Sequence, residues 1–308
     1  VETSDRPIFG TYRGENHRNI RFRMTLNGKT IHLENTARCE ARYNAGMRTY
    51  KLTDPSFGKG SLIITTLAMP DREAGFWQFQ SKGLPADATL ECIVCDTKVK
   101  KFNRFGDMNA DPRDGFDPTP DETNKQTIRW KAGTGATYVM VSVDEKGSYT
   151  LNTPEGSSAE ALFDKAMKHH EWLANQIVFD TPDPYINTLR GALMAAADGA
   201  WNGEVWLHGA IVWRMTLNGW RAGFLSDVLG MPDRAISHFT AYANSQVTNV
   251  EPRIPHPTQD PEKGLSRAAK TWGTQMYSNG YICRNPNRDD IMHHYDMNLN
   301  FIDELLWH

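Results

Sequence analysis

The chain of 308 residues lacks the features that mark several common classes of protein. It has only four cysteines, which are too few and too widely spaced for a disulfide framework. No run of apolar residues approaches the roughly 18 that are needed to cross a bilayer. Its 34 basic and 37 acidic side chains are interspersed, and the formal net charge is only -3. This balance argues against nucleic acid or a membrane surface as the main partner.

Signature motifs of several enzyme classes are also absent. The sequence contains no G-x-S-x-G, P-loop, G-x-G-x-x-G or H-E-x-x-H, which excludes the best-marked hydrolases, nucleotide-binding proteins and zinc proteases. Cys92 and Cys95 form a single C-x-x-C, but without histidines at ligand spacing this pair favours buried strand thiols over zinc. Residues 1–5 do not form a signal peptide. We therefore expect a periplasmic or extracellular protein whose signal has been removed, with a cytoplasmic protein as the alternative.

The first half of the chain has the two-residue periodicity of β-strands. In residues 20–26, apolar side chains at the even positions alternate with polar ones, and Asn27-Gly28 then leads into another short run. An Asn-Gly pair in this position predicts a hairpin with a type I′ turn. Further strands are predicted at residues 47–52, 61–69, 75–80, 88–95, 125–130 and 138–143. Frequent strands separated by Gly, Pro and Asn predict a sandwich of antiparallel sheets over residues 1–152.

An irregular segment rich in carboxylates, residues 103–124, interrupts these strands. A loop of this length inside a compact domain is often functional. Asp107, Asn109 and Asp111 have the first spacings of a calcium-binding loop, but Pro112 replaces the turn glycine and no glutamate occupies the twelfth position. A solvated acidic loop is therefore favoured over a calcium site, and no other metal or cofactor is predicted.

The pattern changes to helix after residues 152–156, which have the composition of a linker. Ser157 and Glu160 have the spacing of a capping box, and apolar residues then recur at helical intervals. Later helices are predicted at residues 185–199, 219–229, 232–247, 265–277 and 289–308. The sequence thus predicts three segments: a β-sandwich at 1–152, a linker helix at 153–180 and a helical region at 181–308.

The last predicted helix carries an apolar stripe. It consists of Ile291, Tyr295, Leu299, Ile302 and Leu306, and no glycine, proline or polar cap follows it. A stripe this apolar needs a partner helix. We therefore expect a piece of a longer protein, or a chain that pairs with a second chain carrying the missing helices.

Residues 200–227 are the densest in side chains suited to chemistry. Four of the nine tryptophans lie there, beside Glu204, His208, Arg214, Arg221 and Asp227. Sugar rings have apolar faces and polar edges, so a saccharide site needs flat aromatic rings flanked by carboxylates, Arg and His. Packing of the tryptophans in a helical core would give the same composition.

Two short motifs resemble those of the six-hairpin glycosidases. Residues 181–189, Thr-Pro-Asp-Pro-Tyr-Ile-Asn-Thr-Leu, look like the start of that family's first barrel helix. Residues 218–227, Asn-Gly-Trp-Arg-Ala-Gly-Phe-Leu-Ser-Asp, resemble the Gly-Trp block of α-L-rhamnosidase-like barrels. The resemblance implies a β-sandwich, a linker helix and roughly the first half of an (α/α)6 barrel at residues 181–308. The chain departs from the family at residues 213–217, where a carboxylate usually precedes Gly-Trp.

Hydrolysis of a glycosidic bond requires two facing carboxylates, one as general acid and one that activates water or attacks the sugar. We expect Asp296 and Glu204 to form this pair, with Asp227 in reserve. In barrel glycosidases the starts of helices line the active-site mouth, which favours Asp296, and Glu204 precedes a glycine-broken aromatic segment. The expected substrate-binding side chains are His208, Trp213, Arg214, Trp220, Arg221 and His294.

Two alternatives remain open beside a glycoside hydrolase that acts on a polysaccharide-derived oligosaccharide. A polysaccharide lyase needs a Tyr or His base and a cation near the uronate carboxylate, and Tyr295, His294 and Arg288 form such a set. A non-catalytic glycan-binding protein would use the aromatic side chains without cleaving the sugar. In every case the expected partner is an oligosaccharide, with no nucleic acid and no membrane span.

Overall fold

The computed structural model describes residues 2–13, 16–98, 119–133, 135–144, 146–209, 215–218, 223, 225–246, 248, 280–283, 285–286 and 295–308. The chain divides into two compact units, Val1–Ala195 and Ala196–His308. Among the described residues, no helix is long and apolar enough to cross a membrane.

The first unit contains two antiparallel sheets, which we call sheet A and sheet B. The twelve described strands are β1 (Glu2–Thr3), β2 (Ile8–Arg13), β3 (Asn16–Leu26), β4 (Lys29–His32), β5 (Arg38–Asn44), β6 (Met47–Thr53), β7 (Ser61–Ala68), β8 (Ala74–Lys82), β9 (Thr89–Thr97), β10 (Pro120–Lys131), β11 (Thr137–Val143) and β12 (Tyr149–Asn152). Sheet A has the order β1-β2-β3-β9-β10, with β4 also paired to β3. Sheet B has the order β12-β11-β8-β7-β6-β5.

The predicted hairpin is confirmed at the turn between β3 and β4. Leu26 pairs with Lys29, so the loop contains only Asn27 and Gly28. Both loop residues have positive φ, 48° and 71° respectively. Two positive φ angles are what a type I′ turn requires, and asparagine and glycine adopt them at the least steric cost.

Sheets A and B pack face to face because apolar side chains recur at every second position of their strands. Phe22 of β3 lies with its ring centroid 5.0 Å from Phe79 of β8 and 5.6 Å from Trp77. Phe9 of β2 also contacts Trp77, at 5.3 Å. These four aromatic side chains are at most 1% exposed and form the centre of the sandwich core.

The five described helices are α1 (Gly156–Ala174), α2 (Pro184–Gly199), α3 (Leu225–Val228), α4 (Pro232–Ala243) and α5 (Tyr295–Trp307). Helix α1 covers the outer face of sheet B, where Phe163 contacts Phe76 at 5.3 Å and Tyr138 at 5.7 Å. The first unit is therefore a three-layer stack of sheet A, sheet B and α1.

The second unit has a small core of its own. Phe239 and Tyr242 of α4 contact Phe301 of α5, with ring centroids 5.5 and 6.1 Å apart. Val205 and Ile282, from irregular segments, complete the same cluster.

The expected fold, a β-sandwich followed by (α/α)6-barrel helices, is wrong for the part of the chain that the structure describes. That part contains more strand than helix, and its helices are short, from 4 to 19 residues. Residues 201–209 and 215–216 were expected to belong to the helical region, but they contain isolated bridges between Trp201 and Trp206 and between Leu207 and Thr216. The helix predicted at 219–229 is described only as Leu225–Val228, and Gly230, whose φ is 68°, follows it two residues later. Helical periodicity in the sequence thus predicted individual helices, but it did not specify the long antiparallel helix pairs that a barrel needs.

Candidate carboxylate site

Several residues of the predicted site lie outside the described part of the chain. This applies to Trp213, Arg214, Trp220, Arg221 and His294, and to the calcium candidates Asp107, Asn109 and Asp111. Asp296 is described only by its backbone, as the second residue of α5. Within the described residues, no group of three or more His, Cys, Asp or Glu side chains could hold a metal ion. The roles expected of these residues therefore stay predictions.

Glu204 lies in an exposed turn between Trp201 and Trp206. Its backbone N–H donates to Asn202 Oδ1 at 2.9 Å, and its carbonyl oxygen accepts from Ser237 Oγ at 2.7 Å. His208, also predicted, donates its backbone N–H to the Met215 carbonyl at 2.9 Å. These contacts fix the backbone of the turn. The backbone of Glu204 thus contacts Asn202 and Ser237, whereas the side chain of Asp227, the reserve carboxylate, contacts His308.

The two described tryptophans of the 200–227 segment contact Arg234 of α4. The guanidinium carbon of Arg234 lies 5.3 Å from the Trp201 ring centroid and 5.4 Å from that of Trp206. The same guanidinium pairs with Asp198 at 2.7 Å, and Trp206 is 1% exposed. Trp206 is therefore buried in the second unit and does not provide an exposed ring on which a sugar could stack.

The side chain of Asp227 contacts His308. Both of its carboxylate oxygens lie 3.0 Å from Nδ1 of His308, the residue that follows α5. About a third of the Asp227 side chain is exposed. The His308 ring is held on its other side by Phe239, with ring centroids 5.3 Å apart. Asp227 thus presents a carboxylate at the surface whose orientation is fixed by a histidine.

Glu304 lies one turn before His308 on α5 and was not among the predicted site residues. Its carbonyl oxygen accepts the backbone N–H of His308 at 3.1 Å, so the two residues share a helical turn. The Glu304 residue is only 4% exposed, and its Oε2 atom is buried without a hydrogen-bond partner. Burial raises the pKa of the Glu304 carboxyl to about 8, and the neighbouring Asp303 carboxylate acts in the same direction.

The position of Glu304 inside the unit depends on Gly223. A methyl group added at Gly223 would overlap Glu304 Oε2 and would lie 3.4 Å from Cζ of Phe239. Glycine therefore leaves the space that the carboxyl group occupies. A buried, uncompensated carboxyl destabilises a fold, and such groups are concentrated at functional sites.

Glu304 and Asp227 both contact His308, Glu304 through its backbone carbonyl oxygen and Asp227 through its carboxylate, and their two carboxyl groups have contrasting environments. Glu304 is buried and holds its proton at neutral pH, whereas Asp227 is partly exposed and accepts a hydrogen bond from His308. We call Glu304, Asp227 and His308 the carboxylate site.

Sequence reasoning missed Glu304 because it considered the apolar stripe of α5, for which it expected a partner helix or a second chain, and not the face that carries Glu304. The predicted stripe is exposed where the structure describes it, by 70% at Leu299, 51% at Ile302 and 81% at Leu306. The buried face instead carries Phe301 and Glu304, three residues apart. The available sequence signal was that Glu304 lies three residues after Phe301 and therefore on the same face of the predicted helix.

Comparison with known families concerns the first unit. Residues 16–146 are similar to a family described as a domain of unknown function, DUF4450. No match was found among curated proteins. The matched residues form most of sheets A and B and do not include the carboxylate site, so the resemblance to DUF4450 extends only to the β-sandwich.

Proposed function

We propose that this protein is a glycoside hydrolase in which Glu304 is the general acid and Asp227 is the second carboxylate. The observation that carries the proposal is the Glu304 carboxyl, which is buried without a partner for Oε2 and belongs to the helical turn that also holds His308, the partner of Asp227. Cleavage of an acetal requires a proton for the departing oxygen, and an acid with a pKa above the ambient pH still holds that proton.

In the proposed reaction, Glu304 gives its proton to the glycosidic oxygen as the bond to the anomeric carbon breaks. Asp227 either activates a water molecule or attacks the anomeric carbon, and the separation of the two carboxyl groups around the bound sugar decides which. His308 holds Asp227 through both oxygens and limits its rotation. The ionised Glu304 that results is poorly solvated, which favours its rapid reprotonation.

Asp227 is also the last residue of the block at residues 218–227 that resembles the α-L-rhamnosidase-like Gly-Trp segment. The proposed substrate is an oligosaccharide released from a polysaccharide, and the proposed compartment is the periplasm or the extracellular space. No observation on the described residues favours the lyase or the non-catalytic alternative.

The test is hydrolysis of a panel of 4-nitrophenyl glycosides and plant or microbial oligosaccharides at about pH 7. We expect turnover of at least one sugar by the wild type. Glu304→Gln and Asp227→Asn should each lower kcat by roughly 10²- to 10⁴-fold. Glu160→Gln, an exposed position on α1, is the matched control and should retain full activity. Full activity in both site variants, or no turnover by the wild type across the panel, would contradict the proposal.

A further inference from the structure

The backbone conformation at Gly223 does not require a glycine. Its φ lies outside the positive range that favours glycine, so an alanine is conformationally allowed there. What alanine would meet is the Glu304 side chain: its methyl group would overlap Oε2 and would lie 3.4 Å from Cδ. The constraint at position 223 is therefore steric.

The neighbouring aromatic ring is less able to move than the Glu304 side chain. Phe239, whose Cζ would also lie 3.4 Å from the added methyl, is packed between Phe301 at 5.5 Å and His308 at 5.3 Å. Glu304, by contrast, has a flexible side chain, and its Oε2 makes no hydrogen bond that would hold it in place. A side chain at position 223 would thus displace the carboxyl of Glu304.

We propose that Gly223 is a positioning residue for Glu304: because position 223 has no side chain, the carboxyl group lies inside the second unit instead of at its surface. The consequence for catalysis rests on the proposed function, since Gly223 touches the general acid and acts through it. The prediction is that the residue at 223 sets the pH range over which Glu304 carries a proton.

The described charged and titratable groups considered on α3, α4 and α5 do not provide another cause for the burial of Glu304. Asp303 on α5 opposes ionisation of Glu304. On α3, Asp227 is engaged with His308. On α4, burial lowers the pKa of His238 to about 4, so this histidine is neutral near pH 7. Displacement of the carboxyl towards solvent is therefore expected to lower its pKa towards the ordinary value.

The decisive experiment titrates Glu304 directly in the full chain labelled with ¹³C at the glutamate carboxyl carbon. Glu304→Gln identifies the resonance by its loss. We expect a titration midpoint near 8 in the wild type and a midpoint moved towards 4.5 in Gly223→Ala. Gly135→Ala is the matched control, because Gly135 has neither positive φ nor any atom within 4 Å of an added methyl. An unchanged midpoint in Gly223→Ala would overturn the proposal.

A second measurement covers the case in which Gly223→Ala folds poorly. The methyl group should lower Tm in the wild-type background but not in the Glu304→Ala background, where the space has been vacated. An equal loss of Tm in both backgrounds would overturn the proposal. The titration does not depend on enzymatic activity, so absence of hydrolysis by the wild type would refute the proposed function alone.

Discussion

Replacement of Glu304 by glutamine is expected to stabilise the protein at alkaline pH, although it removes the proposed general acid. Glutamine has nearly the same shape as glutamate and stays neutral at every pH. The wild-type carboxyl has a folded-state pKa of about 8 against an ordinary value of 4.5, so the folded state binds more protons than the unfolded state between these two pH values. The free energy of unfolding of the wild type must therefore fall as pH rises through this interval.

The size of the effect follows from the same two pKa values. The slope is at most about 1.4 kcal/mol per pH unit, which gives a total of roughly 5 kcal/mol lost between the ordinary and the folded-state pKa. The Glu304 residue is 4% exposed, so solvent screening reduces this value only moderately. Below about pH 4.5 the variant should match the wild type, and above about pH 8 it should exceed the wild type by several kcal/mol.

The assay is urea unfolding of the wild type and Glu304→Gln at several pH values from about 5 to 9, followed by circular dichroism and tryptophan fluorescence. Glu160→Gln, at an exposed position, controls for the general loss of a negative charge. A difference in unfolding free energy that did not change with pH would refute the reasoning. So would a variant less stable than the wild type at pH 8, because that result would mean that the ionised carboxyl has a partner.

The remaining predictions concern the first unit. Burial raises the pKa of Cys95 to about 11 and that of Cys92 still further, so in the folded protein a thiol reagent at about pH 8 should modify the partly exposed Cys39 first. Reaction of Cys92 or Cys95 before unfolding would contradict their burial. Phe163→Ala should lower the free energy of unfolding by about 3 to 5 kcal/mol, because Phe163 is 1% exposed between α1 and sheet B. Glu160→Ala, on the exposed side of the same helix, should change it by less than about 0.5 kcal/mol, and similar losses in the two variants would mean that α1 is not docked.

The β-strands could be read from the sequence because their determinants are local. Alternation of apolar and polar residues fixes which side chains face the sandwich core, and Asn27-Gly28 fixes the hairpin through two positive φ angles. Strand alternation also explains the C-x-x-C motif. Cys92 lies in the sandwich core and Cys95, three residues later, belongs to the other face of β9, so the two thiols are on opposite sides of the sheet.

The helical part was harder to predict because tertiary partners decide which face of a helix is buried. The apolar side chains of Leu299 and Ile302 outnumber those on the opposite face, yet Phe301 is the one that packs on α4. Glu304 is buried because Gly223, 81 positions earlier, leaves space for its carboxyl group. A local sequence pattern does not show that Gly223 and Glu304 are in contact. Asp227 could therefore be predicted as a site residue from the sequence, but Glu304 could not.

The most direct test of the central claim is the dependence of hydrolysis on the leaving group. A general acid matters most when the departing alcohol is a poor leaving group and little when it leaves readily as an anion. For a series of aryl and alkyl glycosides of one sugar that the wild type cleaves, we predict that Glu304→Gln loses activity progressively as the pKa of the leaving alcohol rises. It should retain near wild-type activity on the 2,4-dinitrophenyl glycoside. An equal loss across the whole series would contradict the assignment of Glu304 as the proton donor.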